Sequence, residues 1–295
     1  MTKLYTVDAF TKSGHGGNAA GVVLDAGTLS SGEMQAIARL AGFSETAFIT
    51  EEGESSQHVR FFAPGDEVGL CGHATVASYH LLYELGRIGP GRYTMNTKSG
   101  PQEVVVDDAG RVEMTQNLPT FGPELSVADV APALGLAAEQ LEGLVPQVAS
   151  TGLFKIFVPV PSLDVLAAVQ PDFAAIETVS RGVSAIGMYV YCLDVADSAT
   201  ARCRNFAPVV GILEDSATGT SAAALASLLQ HRGQVAGGQG TWLRFEQGYA
   251  IDQPSEILVE LAVTDGSVCG VRVAGLATTR GMRELGEDEL EGKTS

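Results

Sequence analysis

The chain has 295 residues, which suits two domains of ordinary size, and 45% of them are hydrophobic, enough for each domain to bury a core. Acidic residues outnumber basic ones by 35 to 18, which gives a formal net charge of −17. This charge excludes nucleic acid as the main partner because a polyanion would be repelled, whereas an anionic small molecule needs only a local group of backbone N–H donors.

The first ten residues predict a half-buried strand, because apolar and polar positions alternate there. No continuous apolar segment follows, as a secretory signal would require, and no stretch is long enough to span a membrane. We therefore expect a cytoplasmic protein without membrane association. The four cysteines are far apart and suggest neither a disulfide framework nor paired zinc knuckles, so no metal site is expected. They are Cys71, Cys192, Cys203 and Cys269.

The remaining elements are mostly short strands. In the first half, predicted strands cover 4–10, 19–24, 45–50, 57–62, 91–97, 102–106 and 111–115, with helices at 30–42 and 73–86. In the second half, predicted helices cover 126–143, 162–181 and 219–232, and predicted strands cover 154–160, 184–193, 199–206, 242–246, 256–263 and 268–274. A last strand is expected near 276–283. The proline-containing stretch 116–123 is the best candidate for a linker.

Two similar segments lie half the chain apart. Residues 62–64 and 206–208 both spell Phe-Ala-Pro, and each is followed by an acidic loop, a turn of small residues and a helix rich in Ala and Leu. These helices, 73–86 and 219–232, are apolar nearly all round. Such a composition predicts that each helix is buried at the centre of a domain.

The repeat predicts an α+β fold with two similar domains, each a curved and mostly antiparallel sheet or barrel wrapped around a central helix. We expect the first domain to cover 1–117, joined by a C-terminal strand within 276–295, and the second to cover 118–275. The cleft between two such domains is the usual place for a small-molecule site. Helix N-termini pointing into that cleft would supply N–H groups for an anion, such as a substrate carboxylate.

Six motifs occur in a characteristic order along the chain. Phe10 with residues 17–20, then 43–49 and 67–75, carry an opening Gly-Asn-x-Ala segment, a Ser-Glu-Thr-Ala-Phe segment and a Cys-Gly-His-Ala-Thr segment. Residues 204–208, 211–220 and 246–248 carry Arg-x-Phe-Ala-Pro, Glu-Asp-x-x-Thr-Gly and Glu-Gln-Gly. Together they resemble the phenazine-biosynthesis PhzF-like family, which shares the diaminopimelate epimerase fold. No single motif is decisive, but six in order are highly specific.

The resemblance implies a cofactor-independent isomerase, commonly a homodimer, that moves a proton within a small metabolite. At the matching positions it assigns the proton-shuttling carboxylate to Glu45, with His73 and Asp215 as partners that hold or protonate the substrate. A carboxylate suits this chemistry, because one group must accept a proton from carbon and return it. The same motifs indicate six substrate-binding residues. They are Asn18, Cys71, Gly72, Ala74, Gly219 and Thr220.

Departures from the family pattern leave the substrate open: Ser216 stands where the family has proline, and Thr220 where it has serine. Two other functions are considered, an amino-acid epimerase, racemase or dehydratase that uses Cys71, and a small-molecule binding protein that has lost turnover. A two-thiol racemase is disfavoured, because its second thiol would fall near Ser216 and a hydroxyl is a poor substitute for a thiolate base. Asp215 can also be interpreted as an N-terminal cap of the second central helix.

Overall fold

The computed structural model describes residues 2–195, 198–286 and 289. The chain forms two compact units: unit 1 comprises Met1–Thr115 and Ala274–Ser295, and unit 2 comprises Gln116–Val273. Each unit has a hydrophobic core of its own. Of the predicted C-terminal segment 276–295, residues 287, 288 and 290–295 lie outside the described residues. Within the described residues, no helix has the length and apolar character needed to cross a membrane.

Unit 1 consists of strands and two helices. The strands are β1 (Thr2–Ala9), β2 (Asn18–Val23), β3 (Thr46–Glu52), β4 (Ser56–Phe62), β5 (Glu67–Val68), β6 (Gly91–Thr97), β7 (Gly100–Val106), β8 (Val112–Gln116) and the last strand, β18 (Ala277–Leu285); the helices are α1 (Ser31–Ala41) and α2 (Gly72–Glu84). Strand β1 is antiparallel to both β2 and β18, β2 is parallel to β3, and β3 is antiparallel to β4. Strand β4 is antiparallel to β5 and parallel to β6, and antiparallel pairing continues through β7 to β8.

Unit 2 repeats this order of pairing. Its strands are β9 (Thr120–Glu124), β10 (Gln147–Ser150), β11 (Lys155–Val160), β12 (Met188–Cys192), β13 (Ala201–Ala207), β14 (Ile212–Asp215), β15 (Trp242–Gln247), β16 (Ser255–Thr264) and β17 (Ser267–Gly275); its helices are α3 (Val127–Val130), α4 (Leu163–Ala168), α5 (Phe173–Gly182) and α6 (Gly219–His231). Strand β10 is antiparallel to β9 and β11, β11 is parallel to β12, and β12 is antiparallel to β13. Strand β13 is antiparallel to β14 and parallel to β15, which is antiparallel to β16.

Helices α2 and α6 are the central helices of their units. Each is 13 residues long, and most of its residues are buried. Helices α1 and α5, in contrast, bury only a few residues along one side. Helix α2 packs on β1, β2, β3 and β18, and α6 packs on β10 and β16. The predicted α+β fold class with two buried central helices is confirmed.

Two predicted helices are wrong in extent. The interval 126–143 contains only the one-turn helix α3 and two short 3-10 turns. The α-helix cannot continue there because Pro132 has no N–H group and Gly135 adopts a left-handed conformation, with φ of 68°. The interval 162–181 is divided into α4 and α5, with Pro171 between them. Strands β5, β10 and β14 were not predicted, and strand β9 overlaps all but its last residue with the stretch 116–123 that we predicted to be a linker.

An arginine–glutamate pair occurs at the same place in both units. In unit 1, Arg60 of β4 donates two hydrogen bonds to Glu67 of β5, at 2.8 and 3.0 Å. In unit 2, Arg204 of β13 donates two to Glu214 of β14, both at 2.9 Å. Each guanidinium also lies 5.0 Å from the ring centre of the phenylalanine two positions later. Two-point pairing of this kind fixes the short strand that leads into each central helix.

The packing around α6 predicts that a larger side chain at its centre will destabilise unit 2. Ala223 is fully buried, so Ala223→Leu should lower the free energy of unfolding by about 1–3 kcal/mol, because the surrounding strands must move apart. Ala174 is exposed on α5 and provides the matched control: Ala174→Leu should change stability by less than about 0.5 kcal/mol. Urea unfolding followed by circular dichroism measures both. Equal stability of the two variants would contradict close packing around α6.

Candidate active site

Glu45, Cys71 and His73 lie together in unit 1. Nε2 of His73 is 3.5 Å from Oε2 of Glu45, and Nδ1 of the same ring is 3.3 Å from Sγ of Cys71. The hydroxyl of Ser44 is 3.4 Å from Nε2. The fold thus brings two of the three residues of the predicted catalytic set, Glu45 and His73, next to each other.

The local backbone explains how these side chains meet. Helix α1 is followed by its C-cap residue Gly42, whose φ of 69° lets the chain turn toward β3. The carbonyl of Glu45 accepts a hydrogen bond of 3.2 Å from the N–H of Gly21, which fixes Glu45 beside β2. Cys71 is the N-cap residue of α2, and His73 lies in the first turn of that helix. A strand start and a central helix start therefore hold the site.

The site is partly shielded from water. The side chains of His73 and Glu45 are 12% and 22% exposed, and Cys71 is buried. One imidazole nitrogen faces a carboxylate, which only accepts hydrogen bonds when it is ionised, and the other faces a thiol. The neutral ring with its proton on Nε2 can therefore donate to Glu45 and accept from Cys71 at Nδ1. An imidazole and a carboxylate in contact at the edge of a protein core can accept, hold and return a proton.

The same three side chains are also metal-ligand types. One potential ligand atom of each lies within 4.8 Å of those of the other two. Our sequence-based expectation of no metal rested on the absence of a second pair of Cys or His ligands. Glu45 is far from Cys71 and His73 in the sequence, and only the folded structure shows that it is a third potential ligand.

The other predicted binding residues of unit 1 differ in their accessibility. Asn18 is the first residue of β2, pairs with Ala9 of β1 and is partly exposed. Gly72 is the first residue of α2; among the described residues, no atom beyond its chain neighbours and the backbone of its own helix lies within 4 Å of the position that a Cβ would occupy. Ala74, in contrast, is fully buried. Asn18 and Gly72 therefore offer surface to a ligand, whereas Ala74 offers none.

Asp215 lies at the end of β14 in unit 2, within a hydrogen-bonded network. Its carboxylate accepts a hydrogen bond from the hydroxyl of Thr218, which in turn accepts one of 2.8 Å from the side-chain amide of Asn205. Gln247 donates to the Asp215 carbonyl at 2.6 Å and to the Thr218 hydroxyl at 3.2 Å. Tyr189 donates to Gln247 at 3.0 Å. These contacts fix the orientation of the carboxylate.

Lys155 extends this network and was not singled out by the sequence analysis. It is the first residue of β11, is only 4% exposed and donates a hydrogen bond from Nζ to the side-chain carbonyl of Asn205. Burial lowers the pKa of Lys155 to about 7, although the negative charge of Asp215 acts in the opposite direction. The only feature of the sequence that could have indicated this buried lysine is its position within the otherwise apolar run 154–160.

The repeat shows that these polar groups are specific to unit 2. When the two Phe-Ala-Pro segments are aligned, the strand registers place Asn205 of β13 where unit 1 has Phe61. Lys155 then corresponds to Ala20, the residue at the matching position of β2. All four residues are buried. The same layer of the fold is therefore apolar in unit 1, whereas in unit 2 it is polar and is connected to Asp215 through the Thr218 hydroxyl.

The helix N-termini fall into two groups. The N-cap side chains of α1, α3, α4 and α5 all accept a backbone hydrogen bond. The N-cap side chains of α2 and α6, Cys71 and Thr218, make no capping bond. The Thr218 hydroxyl donates a hydrogen bond to the Asp215 carboxylate. Gly219 is the first residue of α6, and the exposed Thr220 accepts a bond of 2.9 Å from Thr151 at its carbonyl.

The Glu-Gln-Gly motif has two structural roles. Glu246 is fully buried and accepts hydrogen bonds from Arg202 at 2.9 Å and from the Tyr249 hydroxyl at 2.8 Å. The Arg202 guanidinium lies 4.2 Å from the centre of the Tyr249 ring. Gln247 faces the other way and supports Asp215. This motif therefore fixes the end of β15 through Glu246 and supports Asp215 through Gln247.

Comparisons with known proteins give a consistent result. The model of the phenazine biosynthesis-like protein family matches residues 7–282. An uncharacterized isomerase of Deinococcus radiodurans is 38% identical over 289 residues, which cover 94% of this chain and 92% of the relative. The trans-2,3-dihydro-3-hydroxyanthranilate isomerase of Pseudomonas fluorescens is 28% identical, with 95% and 98% covered.

Solved structures agree with this similarity. A PhzF-family protein of Bacillus anthracis superimposes with a TM-score of 0.87 at 28% identity, and the match covers 96% of this chain and 98% of that protein. A hydroxyproline epimerase of Agrobacterium vitis matches with a TM-score of 0.62 at 16% identity, covering 96% and 90%. At that identity, the likeness to the epimerase concerns the fold alone.

The buried lysine predicts a distinct dependence of stability on pH. Below pH 7 Lys155 is protonated in both the folded and the unfolded chain, and the full cost of burying its charge is present. Above pH 7 only the unfolded chain keeps this proton, up to its ordinary pKa of 10.5. Stability should therefore rise with pH, by at most about 1.4 kcal/mol per pH unit. Above pH 9 the buried thiol of Cys203, whose pKa is raised to about 12, opposes this rise.

Comparison with Lys155→Met isolates this effect. The free energy of unfolding of the native protein minus that of the variant should increase between pH 7 and 9, because the variant lacks the titrating group. Lys98 is 61% exposed, and Lys98→Met serves as the control that leaves the slope unchanged. Denaturant unfolding at several pH values measures the difference. A difference that does not change with pH would show that Lys155 keeps its proton in the folded state.

Proposed function

The chain belongs to the phenazine biosynthesis-like (PhzF-like) family, whose relatives include named isomerases, and we propose that it is a cofactor-independent isomerase that transfers a proton within a small carboxylate-bearing metabolite. The observation that carries the proposal is the contact between Glu45 and His73, 3.5 Å apart at the start of α2. A carboxylate and an imidazole in this arrangement can act as an acid/base pair without further groups.

In the proposed reaction, the Glu45 carboxylate removes a proton from a carbon next to an unsaturated group. The electron pair of the broken C–H bond moves into the conjugated system of the substrate. Glu45 then returns the proton to another carbon of the same system, and the product is an isomer with one double bond displaced. His73 donates a hydrogen bond that holds the carboxylate or the substrate during the transfer.

Asp215 is the second carboxylate of the proposal. Its network with Thr218 and Gln247 keeps it oriented, as a group that holds or protonates the substrate must be. We assign the substrate carboxylate to the N-termini of α2 and α6, near Gly72 and Gly219, because first-turn N–H groups and the helix dipole favour anions. The cleft location, the homodimer and the cytoplasmic location stay predictions.

A second candidate function rests on Cys71. Its sulfur lies 3.3 Å from Nδ1 of His73, close enough for the imidazole to activate the thiol as a base. A one-thiol epimerase or dehydratase would then use Cys71 instead of Glu45. Cys71→Ser separates the two functions, because the isomerase should keep most of its activity and the thiol-dependent enzyme should lose it.

The first experiment is a search for the substrate. The protein is incubated in D2O with a panel of small unsaturated, cyclic and amino-acid carboxylates, including trans-2,3-dihydro-3-hydroxyanthranilate, and deuterium incorporation at carbon is measured by NMR and mass spectrometry. An isomerase should incorporate deuterium at the carbon that receives the proton, with formation of an isomer. Binding without any exchange across the panel would favour the protein that has lost turnover.

With a substrate in hand, Glu45→Gln should lower turnover by roughly two to four orders of magnitude, because the amide keeps the size and most hydrogen bonds but cannot carry the proton. Substrate affinity and fold should be retained. Glu139→Gln, at an exposed position of unit 2, is the matched control and should be fully active. Steady-state kinetics and circular dichroism test the set. Full activity of Glu45→Gln would refute the mechanism.

His73→Ala should weaken both substrate binding and turnover, because it removes the group between Glu45 and Cys71.

Asp215→Asn should lower turnover, because the amide lacks the charge and the titrating group of the carboxylate. The local structure should be retained, because the asparagine side chain still has an oxygen that accepts the hydrogen bond from the Thr218 hydroxyl. Unchanged kinetics in Asp215→Asn would remove this carboxylate from the mechanism and leave the role of Glu45 standing.

A further inference from the structure

The group formed by Glu45, Cys71 and His73 has the composition of a transition-metal site. It offers one thiolate sulfur, one imidazole nitrogen and one carboxylate oxygen. Magnesium and calcium prefer sites made only of oxygen, whereas thiolate and imidazole select zinc and similar ions. Three protein ligands with one open position is also the usual pattern of a zinc ion that stays accessible to solvent.

The distances match that chemistry. Zn–S bonds of about 2.3 Å and Zn–N or Zn–O bonds of about 2.0–2.1 Å place tetrahedral ligand atoms roughly 3.3–3.6 Å apart. In unit 1, Nε2 of His73 is 3.5 Å from the Glu45 oxygen and 4.0 Å from the Cys71 sulfur. The sulfur must move about half an ångström closer to Nε2 to reach the tetrahedral separation, and all three potential ligand atoms already lie within 4.8 Å of one another. The hydroxyl of Ser44, 3.4 Å from Nε2, borders the same position.

The surroundings favour a cation held in place. Cys71 and His73 are carried by the start of the buried helix α2, and Glu45 is tied to β2 by its backbone, so the ligands lie on rigid elements. The partial positive charge at a helix start stabilises an anionic thiolate. Glu45 and His73 keep some exposure, which leaves a path for the ion to enter. The net charge of −17 raises the local concentration of cations.

We propose that Glu45, Cys71 and His73 bind one zinc-class divalent cation, and that the bound ion reversibly inhibits the enzyme. Inhibition follows because the ion occupies the lone pairs of Glu45 and His73 that proton transfer requires. The proposal that the ion binds is based on the geometry alone. The proposal that the ion inhibits the enzyme depends on the proposed function. The ion adds no step to the reaction; it competes with the proton for the same atoms.

Cobalt(II) titration of the reduced, chelator-treated protein tests the binding. A thiolate ligand gives a sulfur-to-cobalt charge-transfer band in the near ultraviolet, which should saturate at one ion per chain and disappear when zinc is added. Cys71→Ser should abolish the band. Glu45→Gln and His73→Ala should weaken binding by at least about tenfold, because loss of even a group that only supports a metal ligand costs about 10–100-fold in affinity. Circular dichroism verifies that each variant is folded.

Cys269→Ser is the matched control, because Cys269 is an exposed thiol in unit 2, next to Thr264, and is not one of the proposed ligands. Its band should equal that of the native protein. Absence of a band in the native protein, or a band lost in Cys269→Ser and kept in Cys71→Ser, would overturn the site.

The inhibition is tested separately by deuterium exchange. Zinc should suppress exchange of an active substrate in the native protein, and a chelator should restore it. Cobalt binding at Cys71 with exchange unaffected by zinc would overturn the inhibition. If no compound of the panel shows exchange, the proposed function fails, while the cobalt result still decides the metal site.

Discussion

The burial of α2 and α6 on almost every side is the constraint from which the rest of the structure follows. A helix enclosed in this way carries mostly small or apolar side chains along its length, because strands must approach it closely. Its N-terminal end is where polar groups can reach a ligand. The groups proposed for catalysis lie at these N-terminal ends, where Cys71 and His73 begin one helix and the Asp215 network precedes the other.

Much of the fold could be predicted because this constraint is visible in sequence. The Ala- and Leu-rich runs predict both central helices to within two residues at each end, and period-two patterns predict most of the long strands. The interval 126–143 misled us because its apolar residues do serve the core of unit 2, but on short turns separated by Pro132 and Gly135. Strands of four residues, such as β10 and β14, are too short for a periodic pattern to reveal them.

The candidate site was also predicted only in part. The motifs pointed to Glu45 and His73, and the fold places them side by side. The motifs could not show that Cys71 and Glu45 both contact the imidazole ring of His73, because those contacts depend on how the start of β3 and helix α2 pack. Lys155 escaped attention because its partner Asn205 is 50 residues away in the chain. A single charge in an apolar strand is ambiguous until the structure shows whether it faces solvent or a buried acceptor.

The lowered pKa of Lys155 also gives unit 2 an internal reporter of its own motions. At mildly alkaline pH its amine is uncharged and hence nucleophilic, yet β11 hides it from reagents. Acylating agents will modify exposed lysines at once and Lys155 only during the moments when this strand opens. The rate of that slow acylation, followed by mass spectrometry, measures the frequency of local opening beside Asp215 without any added label.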